Sequence, residues 1–266
     1  MNEIEAFYNK YNEEKRLLRP YGRVEYLTTM KYIHEEIGGR SNLEIMDLGC
    51  ATGRYSLPLA EEGHRITAVD LVNYHLGILR QKAERQGITN ITVKRGDALN
   101  LSKFPENRYD IILCLGPMYH VFSEEDKVRV LQECRKLLKP EGTLFTAYCM
   151  NEFGVILYAF REGQLKKSLE NGKLDESFHI RNDISDLFSF DRLEDIDRYN
   201  EKAGLVRKKI ISSDGPANYM RELITAMDEE TFEGFMRYHL SSCERPELLG
   251  AGNHTLDILR RKEDEE

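Results

Sequence analysis

The sequence lacks an uncharged run long enough to cross a membrane. Its longest stretch without a formal charge runs from Ile111 to Ser123, whereas a spanning helix needs about 20 residues. It also lacks a basic and then apolar segment after Met1, so we expect no signal peptide. These absences predict a cytoplasmic protein with no membrane partner.

An excess of positive charge is also missing. The chain has 38 lysines and arginines against 46 aspartates and glutamates, a formal net charge of −8. A surface of that sign is a poor electrostatic match for phosphate backbones or anionic lipid. We therefore expect no nucleic-acid partner, although the composition leaves room for a local basic patch. Small molecules or protein partners are favoured, with the chain as a monomer or homodimer.

The chain has few cysteines, and they form no CxxC pair and no cluster with histidine. This usage predicts reduced and mostly buried thiols rather than disulfides or a zinc site. Repeats and low-complexity tracts are absent, apart from a charged tail, Arg260 to Glu266, that we expect to be frayed. The five cysteines are Cys50, Cys114, Cys134, Cys149 and Cys243.

What is present is an alternation of short β-type runs with helical runs between residues 42 and 148. This pattern predicts right-handed βαβ units and an α/β fold with a doubly wound, mostly parallel sheet. The predicted strands are Leu43–Asp47, Arg65–Asp70, Ile91–Arg95, Tyr109–Leu115 and Gly142–Tyr148, and the helices are Arg54–Glu62, Tyr74–Gln86 and Glu124–Leu138.

The flanks differ from this core, and we expect all 266 residues to form one domain. Residues 1–40 read as an N-terminal helical cap, 42–148 as the core, and 150–190, which are rich in aromatics, as a lid inserted over the strand ends. Residues 191–262 read as C-terminal helices and final strands. Their predicted elements are a helix Leu193–Lys202, a strand Leu205–Ser212, a helix Tyr219–Leu240 and a strand His254–Lys262.

The turn after the first strand carries the strongest signal. In a doubly wound sheet, ligands bind outside the carboxyl ends of the strands, where Gly49 to Gly53 lie. A dinucleotide site requires Gly-x-Gly-x-x-Gly, but Ala51 and Arg54 occupy the second and third glycine positions. Asp47 beside this turn disfavours a pyrophosphate and suits an amino group or a sulfonium.

A second carboxylate, Asp70, ends the second strand, where it can accept hydrogen bonds from ribose hydroxyls. The pocket therefore suits a nucleoside that carries a cationic amino-acid tail and no phosphates. S-adenosylmethionine matches that description.

Here the chain resembles class I S-adenosylmethionine-dependent methyltransferases. The resemblance covers residues 42–148 and rests on Asp-x-Gly-x-x-x-Gly, the acidic end of the second strand, Gly96-Asp97-Ala98 and the Lys-Pro-x-Gly turn. It implies a Rossmann-like seven-stranded sheet whose last strand, His254–Lys262, is antiparallel and inserted beside the fifth.

The same resemblance implies roles for single residues. The turn from Asp47 through Gly49, Cys50 and Ala51 to Gly53 would hold the methionine part, and Asp70 the ribose. The adenine would contact Leu71, Asp97 and Ala98, and the backbone of Leu115 and Gly116 would flank the donor.

The acceptor is expected over the loop that follows the fourth strand. Pro117 ends that strand, which leaves Tyr119 and His120 above the donor methyl. A histidine there can accept a proton near neutral pH, and a tyrosine can orient the acceptor; the alternative is that both only pack under the lid. Gly-Pro-x-Tyr-His resembles a small-molecule subgroup in which Arg-x-Glu is also frequent, so Arg23 is a candidate for the methionine carboxylate.

Missing motifs narrow the acceptor. The fourth strand is followed by no Asp/Asn-Pro-Pro-aromatic sequence of amino methylases and no Pro-Cys nucleophile, and it lacks the terminal aspartate of metal-dependent enzymes. We expect methyl transfer to O, N, S or C of a small molecule, without a metal. One alternative is a non-catalytic S-adenosylmethionine sensor. The other is an NAD-dependent oxidoreductase, although the missing glycines argue against it.

Overall fold

The computed structural model describes residues 19–262, which build one seven-stranded sheet in the order β3-β2-β1-β4-β5-β7-β6. The first 18 residues of the predicted N-terminal cap and the last four of the charged tail lie outside the described residues. The strands are β1 (Glu44–Leu48), β2 (Arg65–Asp70), β3 (Ile91–Arg95), β4 (Tyr109–Cys114), β5 (Leu138–Cys149), β6 (Leu205–Ser212) and β7 (His254–Arg261).

Helices cover both faces of this sheet. A π-helix (Val155–Arg161) and two short 3₁₀ turns (Pro117–His120 and Pro246–Leu248) supplement them. The α-helices are α1 (Pro20–Ile37), α2 (Ser56–Glu61), α3 (Asn73–Gln86), α4 (Glu124–Leu137), α5 (Asn151–Gly154), α6 (Leu165–Glu170), α7 (Leu193–Ala203), α8 (Arg221–Ala226) and α9 (Glu229–Ser242).

The strand pairing confirms the predicted fold class. β1 pairs in parallel with both β2 and β4, and β5 continues the parallel sheet beside β4. β7 runs antiparallel between β5 and β6. The last strand in sequence is therefore inserted beside the fifth, in a Rossmann-like doubly wound sheet.

Most predicted elements match the structure to within two residues, but one predicted helix and the start of one strand were wrong. The helix expected over Tyr219–Leu240 is broken into α8 and α9, because Asp228 lies between them and its side chain accepts the backbone N–H of Thr231 at 2.8 Å as an N-cap. β5 begins at Leu138 rather than at Gly142, since Leu138 already pairs with Tyr109 before a register shift.

Helix α4 begins as its sequence indicates but buries a different stripe from the predicted one. Ser123 caps it by accepting the backbone N–H of Asp126 at 3.1 Å. We expected Val128, Leu131, Arg135 and Leu138 to mark its stripe. Its buried residues are Lys127, Val130, Leu131, Cys134 and Leu137.

This architecture opens one edge of the sheet to a ligand. The carboxyl ends of β1, β2 and β4 meet there, and so does the amino end of antiparallel β7. Residues 150–192, which connect β5 to α7, also contribute to that edge. Among residues 19–262, no helix combines the length and the apolar character needed to cross a bilayer.

Candidate active site

A cavity of about 1050 Å³ lies at this edge of the sheet. It is lined by the turn after β1, the end of β2, the loop after β3, the 3₁₀ turn Pro117–His120 and the amino end of β7. The connection between β5 and α7 also lines it, through Phe153, Tyr158 and the segment 182–188. The predicted donor and acceptor regions therefore share one cavity.

Asp47 lines this cavity and is 2% exposed. Burial raises the pKa of its carboxyl to about 7, Asp70 adds to the rise, and a hydrogen bond of 2.5 Å from the Ser56 hydroxyl opposes it. A buried carboxyl with a raised pKa gains from a cation placed beside it, because the cation favours the ionised form. The site suits an ammonium or sulfonium group.

Gly49 and Gly53 in this turn lack a side chain for different structural reasons. Gly49 has φ +78°, and a Cβ there would lie 2.7 Å from Cδ of Pro117, so it lets the turn approach the 3₁₀ segment. Gly53 has φ +86°, and its Cβ would collide with Leu79 of α3. Gly49, Cys50 and Ala51 line the cavity, whereas Gly53 is a packing residue outside the lining.

Asp70 joins the end of β2 to the same turn. One of its oxygens accepts the backbone N–H of Ala51 at 2.8 Å, and the other accepts that of Val72 at 2.7 Å. Ala51 is held at φ +44°, an uncommon conformation for a residue with a Cβ. The carboxylate thus fixes the turn and still presents lone pairs to the cavity.

The predicted adenine contacts also lie on the cavity wall. Asp97 caps its own turn by accepting the backbone N–H of Leu99 at 3.0 Å, and it lines the cavity as well. The capping and ligand-facing interpretations of Asp97 are therefore compatible. Leu71, Ala98, Leu115 and Gly116 complete this part of the lining.

Among the residues predicted to bind the methyl donor, Arg23 lies apart from the others. Its guanidinium pairs with Glu229 at 3.0 Å and lies over the ring of Phe232, and it does not line the cavity. Arg54 lies in the lining instead, with its guanidinium 3.8 Å from the ring centroid of Tyr26. Its Nε is buried without a hydrogen-bond partner among the described residues.

His120 and Tyr119 both line the acceptor side of the cavity. His120 Nδ1 lies 2.8 Å from the carbonyl oxygen of Leu187. Since a carbonyl only accepts, Nδ1 carries the hydrogen, and in the neutral ring Nε2 keeps the lone pair. Burial lowers the pKa of His120 below its usual value of 6.5, which favours that neutral form.

One buried group has no counterpart in the sequence-based site, and two of its members, His254 and Glu25, line the cavity. His254 at the start of β7, Glu25 of α1 and Asp214 after β6 are all buried, and their ligating atoms lie within 4.8 Å of one another. Nδ1 of His254 is 2.9 Å from Asp214 and 3.3 Å from Glu25, which fits a hydrogen-bonded histidine. No local motif marks this group; Glu25 was visible only as the end of Arg-x-Glu.

Comparison with known proteins shows which proteins this chain is similar to. Residues 45–142 match the family model described as a methyltransferase domain. Among curated proteins, the chain is 31% identical over 122 residues to the ubiquinone biosynthesis O-methyltransferase of Histophilus somni (strain 2336), across 44% of this chain and 50% of that protein. The chain spans about half the length of the curated relatives it matches.

Solved structures confirm the fold. The geranyl diphosphate C-methyltransferase of Streptomyces coelicolor A3(2), in complex with Mg²⁺, geranyl diphosphate and S-adenosyl-L-homocysteine, has a TM-score of 0.58 at 15% identity, over 89% of this chain and 79% of that one. The [4+2]-cyclase SpnF has a TM-score of 0.57 at 16% identity, over 89% and 81%. Because one fold carries both reactions, fold alone does not identify the activity.

The family match and the curated relatives support S-adenosylmethionine as the cofactor, and the donor end of the cavity fits it. Asp47, Asp70 and the turn around Gly49 line the cavity, and the two carboxylates match the chemistry of a cationic tail and a ribose. The buried Nε of Arg54, which has no hydrogen-bond partner within residues 19–262, matches a carboxylate.

Proposed function

We propose that this chain is an S-adenosylmethionine-dependent methyltransferase that acts on a small-molecule acceptor. The observation that carries the proposal is that Asp47, Asp70 and Asp97 line the same cavity as Tyr119 and His120. The cofactor would supply an electrophilic methyl group, and this chain would supply positioning and proton acceptance.

In this proposal the donor contacts follow from the geometry of the turn. Asp47 faces the cationic tail, Arg54 takes over from Arg23 as partner of the methionine carboxylate, and Asp70 accepts from the ribose. Asp97 accepts from the adenine amino group. Each of these contacts pairs a buried or cavity-facing charge with an opposite charge or a hydrogen-bond donor.

We take a hydroxyl oxygen as the first acceptor to test, because the curated relative is named as an O-methyltransferase. Nε2 of neutral His120 would accept the hydroxyl proton while Tyr119 orients the acceptor. The rings of these two residues meet edge to face with centroids 6.4 Å apart, so both reach the same region of the cavity.

The test is calorimetric titration of the purified chain with S-adenosylmethionine, S-adenosylhomocysteine and NAD, followed by transfer of a labelled methyl group to a metabolite extract. We expect both adenosyl compounds to bind, NAD not to bind, and His120→Gln to lose transfer while donor binding stays. Asp110→Asn, on the opposite end of β4, is the matched control. Donor binding without transfer to any acceptor would favour the sensor, and NAD binding would overturn the proposal.

A further inference from the structure

His254 lies at the acceptor side of the cavity, although no motif marks it. It is directly opposite Cys149 in the β5–β7 pairing, so both side chains project from the same face of the sheet. His254 and Cys149 line the cavity together with Tyr119, whose ring centroid is 5.4 Å from that of His254. The ring of Tyr119 therefore has two histidine rings near it, those of His120 and His254.

Asp214 fixes the orientation of the His254 ring. Its Oδ2 lies 2.9 Å from Nδ1, and its Oδ1 accepts the backbone N–H of the same residue at 3.1 Å. Asn218 holds the carboxylate in place by donating to Oδ2 at 2.7 Å. A carboxylate behind Nδ1 requires hydrogen on that nitrogen and orients the other edge of the ring.

The two histidines experience opposite environments. Burial alone would lower the pKa of His254, but Glu25, Cys149 and Asp214 together raise it well above its usual value. The two carboxylates that face Nδ1 therefore favour the imidazolium form of His254, with a hydrogen on both nitrogens, whereas burial favours neutral His120. Two titratable groups whose pKa values are shifted in opposite directions take opposite roles, one as proton acceptor and one as donor.

We propose that His254 is a second acceptor-binding residue, whose Nε2–H donates a hydrogen bond to a carbonyl oxygen of the acceptor while His120 holds its hydroxyl. The inference rests on the proposed function and names an acceptor class for it, an aromatic hydroxy-carbonyl compound. Asn253 does not take the place of the acceptor, because its amide nitrogen lies 3.2 and 3.3 Å from the two ring nitrogens and so in line with neither N–H.

The surroundings specify the rest of the acceptor. Glu25 and Asp214 stand beside His254, so a neutral carbonyl oxygen is favoured over a carboxylate, which they would repel. Aromatic rings form much of the acceptor side of the cavity and suit a planar aromatic body. They belong to Tyr119, Phe153, Tyr158, Phe188 and Phe190.

Matched fragments test the carbonyl contact. 3- and 4-hydroxyacetophenone differ from 3- and 4-ethylphenol by the carbonyl oxygen, and their dissociation constants can be measured by NMR titration at saturating S-adenosylhomocysteine. We expect at least one ketone to bind about tenfold tighter than its ethyl partner, since hydrogen bonds to charged groups are the stronger ones. His254→Gln should remove that difference, and His120→Gln should keep it.

A second measurement needs no variant. ¹⁵N NMR of the histidine side chains of the wild-type protein at pH 7 should show His254 protonated on both nitrogens and His120 neutral, with the His254 Nε2 signal moving when the ketone is added. A neutral His254, or equal affinity for ketone and ethyl partners, would overturn the inference. So would Zn²⁺ binding that is lost on Asp214→Asn, because it would assign the cluster to a metal. Failure to bind S-adenosylhomocysteine would instead contradict the proposed function itself.

Discussion

The ammonium of Lys127 and the carboxylate of Asp191 form an ion pair in which each side chain is 1% exposed. The pair ties helix α4 to the segment that follows the lid. Lys127 also donates to the hydroxyl of Ser189 at 2.9 Å, and the backbone N–H of Ser189 donates to the carbonyl of Tyr119 at 2.7 Å. This buried network of charged and polar groups thus holds the 3₁₀ turn Pro117–His120 in place.

Lys127→Met should lower the free energy of unfolding by about 3–5 kcal/mol, because it leaves the Asp191 carboxylate buried without its cation. Urea denaturation followed by circular dichroism measures this loss. The control is Lys139→Met, whose ammonium pairs with Asp110 and whose side chain is 40% exposed; it should lose no more than about 1 kcal/mol. A Lys127→Met/Asp191→Asn double variant that is no more stable than Lys127→Met alone would contradict this explanation.

The fold was predictable from sequence because the motifs that indicate it lie close together along the chain. Asp47, the turn glycines and Asp70 lie within one βαβ unit, so their spacing fixes where they meet. Lys127 could not be found this way, since a lysine in a charged helix reads as a solvated residue and its partner is 64 positions away. His254 and Glu25 come from opposite ends of the chain, and only the insertion of β7 beside β5 brings them together.

Asp70→Asn should weaken S-adenosylmethionine binding by about 1–3 kcal/mol, since it replaces a charged acceptor of ribose and backbone hydrogen bonds by a neutral amide. Isothermal titration calorimetry measures the change. The turn should lose rigidity in the same variant, because the Asp70 carboxylate also anchors Ala51. Wild-type affinity in Asp70→Asn would remove Asp70 from the proposed ribose contacts.

Donor affinity should depend on pH through Asp47. With a pKa of about 7 in the protein without ligand, its carboxyl is mostly protonated at pH 6, and a cationic donor binds better to the ionised form. The affinity should therefore rise with pH and level off above about pH 7, with roughly a tenfold loss at pH 6. Asp47→Asn serves as the reference: its affinity should be low at every pH, and a slope equal to that of the wild type would assign the pH dependence elsewhere.

The connection between β5 and α7 should close over the donor. Phe153, Tyr158 and Phe190 from this segment line the acceptor side, whereas Phe160 points outward and is 57% exposed. Hydrogen exchange over residues 150–190 should slow when S-adenosylhomocysteine is added, while exchange in β1 and β4 changes little. If residues 150–190 exchange as slowly as the core strands both with and without S-adenosylhomocysteine, the segment does not close over the donor.

His120→Ala should slow the chemical step about 10²–10⁴-fold if Nε2 accepts the acceptor proton. Donor affinity should stay nearly unchanged, because the proposed donor contacts come from Asp47, Asp70 and Asp97. Single-turnover methylation, with an acceptor found in the extract screen, measures this step separately from binding and release.

The pH profile gives a second readout of the same role. Because burial lowers the pKa of His120, the wild-type single-turnover rate should stay constant down to below pH 6.5 and fall only where the ring becomes protonated. Phe188→Leu is the matched control, since its ring lies 5.4 Å from that of His120 and its loss changes packing without removing a proton acceptor. It should lower the rate far less and keep the shape of the profile. A wild-type rate in His120→Ala, with an intact circular dichroism spectrum, would mean that His120 only forms part of the cavity wall.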